Sequence, residues 1–309
     1  MSKNIKFALV GATGLVGRTV IKVLEEFKLP ISNYSFFASE KSAGKKITFL
    51  EKDYFIEELT STSFNSNFDF AIFCAGSDIS KKHAPIANSN GCIVIDNSNA
   101  FRMDYDVPLI VPEVNSNCIF DHHGIISNPN CSTIQAVVAL NPLDELFSIK
   151  RIVYSTYQAV SGAGQKGLED FYNCLQGFPP NKFPHPIYNN CLPHIDEFLD
   201  NGYTKEEEKM INETRKILNK PNLPITATTV RVPVTNCHCE SINIELEKDF
   251  DLSDVKRILS SSNGIILQDD IYNDIYPLPT NANNTNNVYV GRIRRDFSVK
   301  YRFKYMGCC

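Results

Sequence analysis

A glycine-rich turn near the start of the chain limits the possible folds more than any other feature. The run Gly11-Ala12-Thr13-Gly14-Leu15-Val16-Gly17 follows an apolar segment, Ile5–Val10, and precedes an amphipathic segment, Arg18–Phe27. A strand, a glycine turn and a helix in this order are typical of dinucleotide-binding folds, where glycines permit the tight turn and the close approach of a pyrophosphate. The helix start offers free N–H groups to phosphates. An ordinary tight turn is the alternative, and the flanking elements favour the nucleotide site.

The rest of the first third of the chain alternates short apolar runs with helical patterns. Buried strands are predicted at Tyr34–Ala38, Phe70–Cys74 and Cys92–Ile95. Strands separated by helices favour βαβ units and a parallel sheet. The sequence therefore predicts an α/β fold with a Rossmann-type nucleotide domain.

The alternation of short apolar runs and helical patterns ends near residue 130. We place there the boundary between a dinucleotide-binding domain (1–130) and a second, α+β domain (131–309). Long β-branched runs predict a mixed or antiparallel sheet there. The charged helix Lys205–Lys220 is expected to present a solvated face. The polar segment Thr280–Asn287 is expected to be a surface loop. The predicted elements are helices Ser132–Leu146, Lys205–Lys220 and Leu252–Ser260, strands Ile152–Gln158, Thr226–Val234 and Ser241–Leu246, and the loop Thr280–Asn287.

Composition narrows the class of protein. The chain has 309 residues, 43% of them hydrophobic, and a formal net charge of −4, which gives no reason to expect nucleic acid as a partner. No apolar run is long enough to span a membrane, and the first residues lack the pattern of a signal peptide, so we expect a cytoplasmic protein. Most of the ten cysteines are then expected to be free thiols.

The end of the second predicted strand bears on the choice of cofactor. An NAD site often has an acidic residue there, which holds the ribose 2′-OH. In this chain Glu40 is surrounded by Ser39, Lys41 and Ser42, which can hold a 2′-phosphate. We therefore expect NADP, with NAD as the alternative if Glu40 dominates.

Three side chains in the second domain are candidates for chemistry. Cys131 lies where a loop meets a predicted helix, and a helix N-terminus lowers the pKa of a thiol and favours the reactive thiolate. An inert cysteine at a helix start fits that motif equally well. Gln158 stands at the end of a strand, before a small-residue loop that permits close approach of a ligand. Arg231 is surrounded by apolar residues, and because an unpaired buried charge is costly, we expect it to meet an anion.

The combination of these motifs resembles the aspartate-semialdehyde dehydrogenase family over nearly the whole chain. The matching segments are the glycine turn, the second-strand end Ala38–Gly44, the nucleophile loop Pro129–Thr133, the strand and loop Thr156–Gly164, the region of Arg231 and His238, Ile275-Tyr276-Pro277, and Val290–Arg294.

The resemblance implies a role for individual residues. Cys131 is expected to be the nucleophile, His238 the general acid/base, and Gln158 an orienting group. Arg231 is expected to bind the substrate carboxylate, Glu206 the amino group, and Lys209 and Arg102 the phosphate. Asn130 is expected to bind the substrate as well. Without the family, Glu206 and Lys209 would pass for a surface pair and Arg102 for a solvated charge. Cofactor contacts are expected at Gly11, Thr13, Gly14, Leu15, Val16, Ser39, Lys41, Ser42, Gly76, Ser161 and Gly162.

The implied reaction is the NADPH-dependent reduction of β-aspartyl phosphate to aspartate semialdehyde through a cysteine thioester, in the biosynthesis of lysine, threonine and methionine. A homodimer is implied as well. The alternatives are a reductase of N-acetylglutamyl phosphate or of a CoA thioester, and an inactive paralogue. No metal is expected, since strand alternation turns His238 away from Cys237 and Cys239.

The chain also departs from the family pattern in two places. Lys41 stands where the family commonly has arginine, which is expected to weaken phosphate binding. After the segment Gly291–Arg294, family members continue into a strand, a loop and a long return helix. We expect this chain to lack all three, and hence to have marginal stability, weak cofactor affinity and low activity.

Overall fold

The computed structural model describes residues 4–309, and the chain divides into two compact units. The first unit comprises the chain up to Ile110 together with Ser116–Pro129. The second comprises Val111–Asn115 and Asn130–Cys309. Each unit contains a six-stranded sheet. No helix in the described part of the chain is both long enough and apolar enough to cross a bilayer.

The first unit has a parallel sheet with strand order β5-β2-β1-β6-β7-β8, and β3 and β4 form a separate antiparallel hairpin. Because β2 and β6 lie on opposite sides of β1, strand order reverses there, and ligands bind at such a switch point. The elements are β1 (Lys6–Val10), α1 (Leu15–Phe27), β2 (Asn33–Ala38), β3 (Lys46–Phe49), β4 (Lys52–Phe55), β5 (Glu57–Glu58), β6 (Phe70–Phe73), α2 (Ser77–Ser89), β7 (Ile93–Asp96) and β8 (Ile125–Ser127).

Strand β1 is buried on both faces of this sheet. Phe7 and Leu9 pack in one apolar cluster, and Ala8 and Val10 pack in another. Alternate residues of a strand point to opposite faces, so covering both faces requires the continuous apolar run seen in the sequence. This burial fixes the position of the glycine turn at the end of β1.

The second unit has a mixed sheet with strand order β10-β9-β11-β14-β13-β12. The β10–β9 and β12–β13 pairs are parallel and the other three are antiparallel. The two sheets confirm the predicted fold class. The elements are α3 (Pro112–Asn115), α4 (Cys131–Phe147), β9 (Ile149–Gln158), α5 (Gln165–Leu175), α6 (Lys205–Ile217), β10 (Ile225–Arg231), β11 (His238–Leu246), α7 (Leu252–Ser261), β12 (Ile265–Leu267), α8 (Pro279–Ala282), β13 (Val288–Arg295) and β14 (Arg302–Cys308).

The charged helix α6 differs from the prediction of a solvated face. Glu206, Glu207 and Glu213 are all buried, at 7%, 7% and 1% exposure. Glu207 completes a capping box with Thr204 at the helix start and accepts a hydrogen bond from the backbone of Thr229 on β10. Hydrogen-bond donors from other elements offset the desolvation of these carboxylates.

The prediction that no strand follows the segment Gly291–Arg294 was wrong. Residues Arg302–Cys308 form β14, which pairs with β11 and β13. Arg302 and Lys304 are half-buried, whereas Phe303 and Tyr305 are fully buried, the alternation of a strand with one covered face. Two smaller differences concern β10, which ends at Arg231 rather than Val234, and the predicted loop after residue 279, whose start forms α8.

One pair of cysteines is joined across the second sheet. Cys239 on β11 and Cys308 on β14 form a disulfide, and the other eight cysteines are free. Residues 4–309 contain no group of three His, Cys, Asp or Glu side chains arranged to hold a metal ion.

Candidate active site

The loop before α4 is held in place by the side chain of its last residue, Asn130, and by two glutamates of α6. The Asn130 Oδ1 atom accepts hydrogen bonds from the backbone N–H groups of Ser132 at 2.9 Å and Thr133 at 3.4 Å. The Asn130 backbone N–H donates to Glu213 at 2.6 Å, and its side-chain amide donates to Glu206 at 2.9 Å. Asn130 therefore caps the helix and fixes the entry of the chain into it.

Cys131 is the first residue of α4 and is exposed. A thiol at this position meets the positive end of the helix dipole. An exposed thiol at a capped helix start can reach a substrate. It therefore differs from the inert, buried cysteine that the motif alone also allows.

Three polar side chains form a row across adjacent strands of the second sheet. Gln158 on β9 is paired in register with Arg231 on β10 and with His238 on β11. All three are buried, at 1%, 5% and 8% exposure. The Gln158 amide donates to the Ser132 hydroxyl and, at 3.3 Å, to Glu206. The row therefore lies against the start of α4 and the start of α6.

The hydrogen bond to His238 assigns its tautomer. The backbone N–H of Ala159 donates to His238 Nδ1 at 3.0 Å. Nδ1 is therefore unprotonated, and the neutral ring carries its proton on Nε2. Burial and the neighbouring Arg231 lower the pKa of His238. The ring is thus neutral near pH 7 and can donate a hydrogen bond from Nε2.

Arg231 is anchored through its guanidinium. Its Nη1 atom donates to the Ala159 carbonyl at 2.7 Å. Burial lowers the pKa of Arg231, and the charges of Glu206 and Cys131 partly offset this decrease. A Cβ atom on Gly162 would lie 2.8 Å from Arg231 Nη1 and 3.2 Å from His238 Nε2, so only glycine leaves these two groups accessible.

Helix α6 contributes an acid and a base to the same region. Glu206 contacts Asn130 and Gln158, and Lys209 Nζ lies 3.2 Å from Glu206 and 2.6 Å from Asp196. Burial lowers the pKa of Lys209, but Glu206 and Asp196 outweigh that effect and hold it above its usual value. This i, i+3 pair is built into the site and is not the surface pair considered from sequence.

A cleft of about 540 Å³ lies in the first unit at the carboxyl ends of β1, β2 and β6. Gly11 has φ of +90°, and a Cβ there would meet the Cys74 carbonyl carbon at 2.8 Å. A Cβ on Gly17 would lie 2.2 Å from the Gly11 oxygen. Gly14 precedes α1 without a side-chain cap, which leaves N–H groups for a phosphate. The predicted residues among those that line the cleft are Gly11, Thr13, Gly14 and Ser39.

This cleft fits a dinucleotide, because its turn is compatible only with glycine and its helix start is open. Two residues of its lining, Lys82 and His83 on α2, were not predicted from sequence. The cleft lining does not include five predicted residues, Leu15, Val16, Lys41, Ser42 and Gly76. Ser161 and Gly162 belong to the second unit, and their contact with a cofactor stays a prediction.

Arg102 belongs to the first unit and is not a solvated charge. It is 7% exposed, and its Nε and Nη2 atoms donate to the backbone carbonyls of Asn128 and Asn97 at 2.9 and 3.2 Å. These bonds fix its guanidinium, and its predicted contact with phosphate stays a prediction. Sequence analysis also missed Glu213, although it lies seven residues after Glu206 on the same helix face.

Comparison with known proteins agrees with this geometry. Family models described as "Semialdehyde dehydrogenase, NAD binding domain" and "Semialdehyde dehydrogenase, dimerisation domain" match residues 6–122 and 140–306. The chain is 48% identical to the aspartate-semialdehyde dehydrogenase of Aquifex aeolicus, over 94% of this chain and 88% of that protein.

Solved structures give the same result. Aspartate semialdehyde dehydrogenase II from Vibrio cholerae, complexed with ASA, is similar with a TM-score of 0.95 and 40% identity, over 100% of this chain and 93% of that one. The Candida albicans enzyme with NADP has a TM-score of 0.76 and 25% identity, over 98% of this chain and 93% of that one. These matches confirm the resemblance that the motifs indicate, and the chain belongs to the semialdehyde dehydrogenase family.

Proposed function

We propose that the protein reduces β-aspartyl phosphate to aspartate semialdehyde and phosphate with NADPH, as an aspartate-semialdehyde dehydrogenase of amino-acid biosynthesis. Family membership makes it an oxidoreductase acting on an aldehyde. The observation that carries the proposal is the row Arg231–Gln158–His238 beside Cys131, with Glu206 joined to it. This set offers a nucleophile, a proton donor, an anion site and a cation site together.

The substrate's three charged groups account for the charged side chains. The forked guanidinium of Arg231 suits the α-carboxylate, and Glu206 suits the ammonium group. We assign the phosphate to Lys209, which lies beside Glu206. A buried carboxylate facing the amine favours this substrate over N-acetylglutamyl phosphate, whose acetylated nitrogen carries no charge, and over a CoA thioester.

The chain's own residues account for the covalent steps. The Cys131 thiolate attacks the acyl carbon, a C–S bond forms, and the C–O bond to phosphate breaks, which leaves a thioester. Bound NADPH, which the Gly11–Gly17 turn and Ser39 are proposed to hold, supplies the reducing equivalent. The Nε2–H of His238 donates a hydrogen bond to the carbonyl oxygen as negative charge develops there, and this bond weakens as the C–S bond breaks and Cys131 leaves as thiolate. Gln158 orients the acyl group.

Location and assembly follow from the same proposal. The eight free cysteines, Cys131 among them, favour a reducing compartment such as the cytoplasm. The match of residues 140–306 to a dimerisation domain supports a homodimer.

An assay with β-aspartyl phosphate tests the function. We expect turnover, a higher kcat/KM with NADPH than with NADH, and loss of turnover in Cys131→Ala. Glu206→Gln should raise KM for the aspartyl substrate about tenfold or more, because an ion pair to the ammonium is lost. Faster turnover of N-acetylglutamyl phosphate or of an acyl-CoA would contradict the substrate, and an active Cys131→Ala variant would contradict the covalent mechanism.

A further inference from the structure

A buried hydrogen-bonded pair of side chains lies next to Cys131 and His238, one helical turn further along α4 and two residues further along β11. Gln135 follows Cys131 by four residues on α4, and Glu240 follows His238 by two on β11. These spacings place each residue on the same face of its element as its catalytic neighbour. The Gln135 amide donates to Glu240 Oε1 at 2.7 Å, and the two side chains are 3% and 1% exposed. The elements that carry Cys131 and His238 are therefore tied together directly behind them.

The surroundings of Glu240 are unsuited to a carboxylate anion. In register, Thr156 on β9 lies on one side of it and Gly307 on β14 on the other. Among the described residues, the titratable groups shown to interact with it are His238 (β11), Tyr154 (β9), Tyr305 and Cys309 (β14 and the residue after it), Cys131 (α4) and Glu206 (α6), and none of these is a permanent cation.

Several polar atoms around the pair have no partner among the described residues. They are Glu240 Oε2, Gln135 Oε1, Thr156 Oγ1 and the Tyr305 hydroxyl. An isolated buried carboxylate is costly, so such a group takes up a proton instead. Protonation removes the charge from Oε2, which no hydrogen-bond donor of the described residues reaches. Burial raises the pKa of Glu240 to about 8, although the bond from Gln135 opposes the shift.

We propose that Glu240 is a positioning residue, a neutral carboxylic acid whose hydrogen bond with Gln135 sets the separation of Cys131 and His238. The inference rests on the proposed roles of Cys131 and His238. In neutral form the acid joins α4 to β11 without placing a negative charge behind the thiolate. Deprotonation adds that charge, which opposes formation of the Cys131 thiolate and raises the pKa of His238.

A neutral Glu240 makes the stability of the native state depend on pH in a definite direction. The pKa of Glu240 is raised, from 4.5 to about 8, so between these values the native state holds a proton that the unfolded chain has released. Stability from this group is complete below about pH 4.5 and is lost as the pH rises towards 8. Glu240→Gln mimics the neutral acid and cannot titrate. The melting temperature of this variant relative to that of the parent should therefore increase as the pH rises from 4.5 to about 8.

A matched control lies on the same strand. Glu245 pairs with Arg302 and Lys150, whose contacts lower its pKa. Glu245→Gln should therefore lose melting temperature relative to the parent above pH 4.5, with the gap closing in acid. The two glutamine variants thus differ in the sign of their pH dependence. An equal and flat difference for both would overturn the neutral-acid assignment.

The positioning role needs a measurement on Cys131 itself. We would follow alkylation of Cys131 by iodoacetamide from pH 6 to 10, without substrate or cofactor, alongside kcat and KM. Glu240→Gln should keep kcat within about threefold and lose the inflection near pH 8 that we expect for the parent. Gln135→Leu and Glu240→Asp, which break the contact, should lower kcat about 10- to 100-fold with little change in KM.

Two outcomes would overturn the positioning role, namely parental kcat in both contact-breaking variants, or an alkylation profile that Glu240→Gln leaves unchanged. Melting temperatures of all the variants distinguish misfolding from mispositioning. Because alkylation needs no turnover, failure of the proposed function alone would leave the predicted alkylation and melting profiles intact.

Discussion

At the scale of single residues, the site depends on geometry that a conservative substitution cannot reproduce. Arg231 is buried and bonded through Nη1 to the Ala159 carbonyl, which orients the guanidinium. Arg231→Lys keeps the charge and loses the fork, so KM should rise about tenfold or more while kcat falls less. Arg302→Lys, on another strand of the same sheet, is the matched control and should leave KM unchanged. An unchanged KM in Arg231→Lys would remove Arg231 from carboxylate binding.

The residues of the site were predictable to different degrees. Cys131, Gln158 and Arg231 stood out from their local context, since a thiol at a helix start or an arginine among apolar residues needs an explanation. Glu240 and Gln135 did not, because a lone polar residue in a strand or helix does not show which way it faces. Their pairing depends on how α4 packs on β11, which no local pattern contains.

At the scale of elements, the helix cap before α4 links stability to reactivity. Asn130→Ala removes the cap, which is worth about 0.5–2 kcal/mol, and also removes an amide donor to Glu206. We expect a lower melting temperature and slower alkylation of Cys131. Thr204→Ala removes the cap of α6 and should cost similar stability without changing the alkylation rate. Equal effects of the two variants on that rate would show that Asn130 is only a structural cap.

Element prediction succeeded where periodicity was strong and failed where tertiary contacts decide. Strand β9 and helix α4 were found with ends shifted by a few residues. The helical pattern of α6 was also clear, but not which glutamates are buried, because their partners come from the loop before α4 and from β10. Strand β14 was missed, although residues Arg302–Tyr305 alternate polar and apolar side chains as a strand with one covered face does.

At the scale of the whole molecule, the predicted cofactor turn and the covalent chemistry reside in different units of the chain. The glycine turn belongs to the first unit, whereas Cys131, Gln158, Arg231 and His238 all belong to the second. The sequence placed the change of character near residue 130. It could not show that Val111–Asn115 belongs to the second unit, because so short a segment carries no pattern of its own.

This division predicts that cofactor binding and thiol chemistry can be lost separately. Gly11→Ala forces a Cβ against the Cys74 carbonyl at a residue with φ of +90°, so NADPH binding should fall at least tenfold while iodoacetamide still alkylates Cys131. Cys131→Ala should do the reverse, keeping NADPH affinity and losing turnover.

Gly91→Ala is the matched control, since its φ is +81° but a Cβ there meets nothing within 4 Å. It shares the backbone strain without the clash and should bind NADPH normally. Fluorescence titration with NADPH and mass spectrometry of the alkylated protein measure the two properties independently. Loss of both in either single variant would show that the units do not work separately.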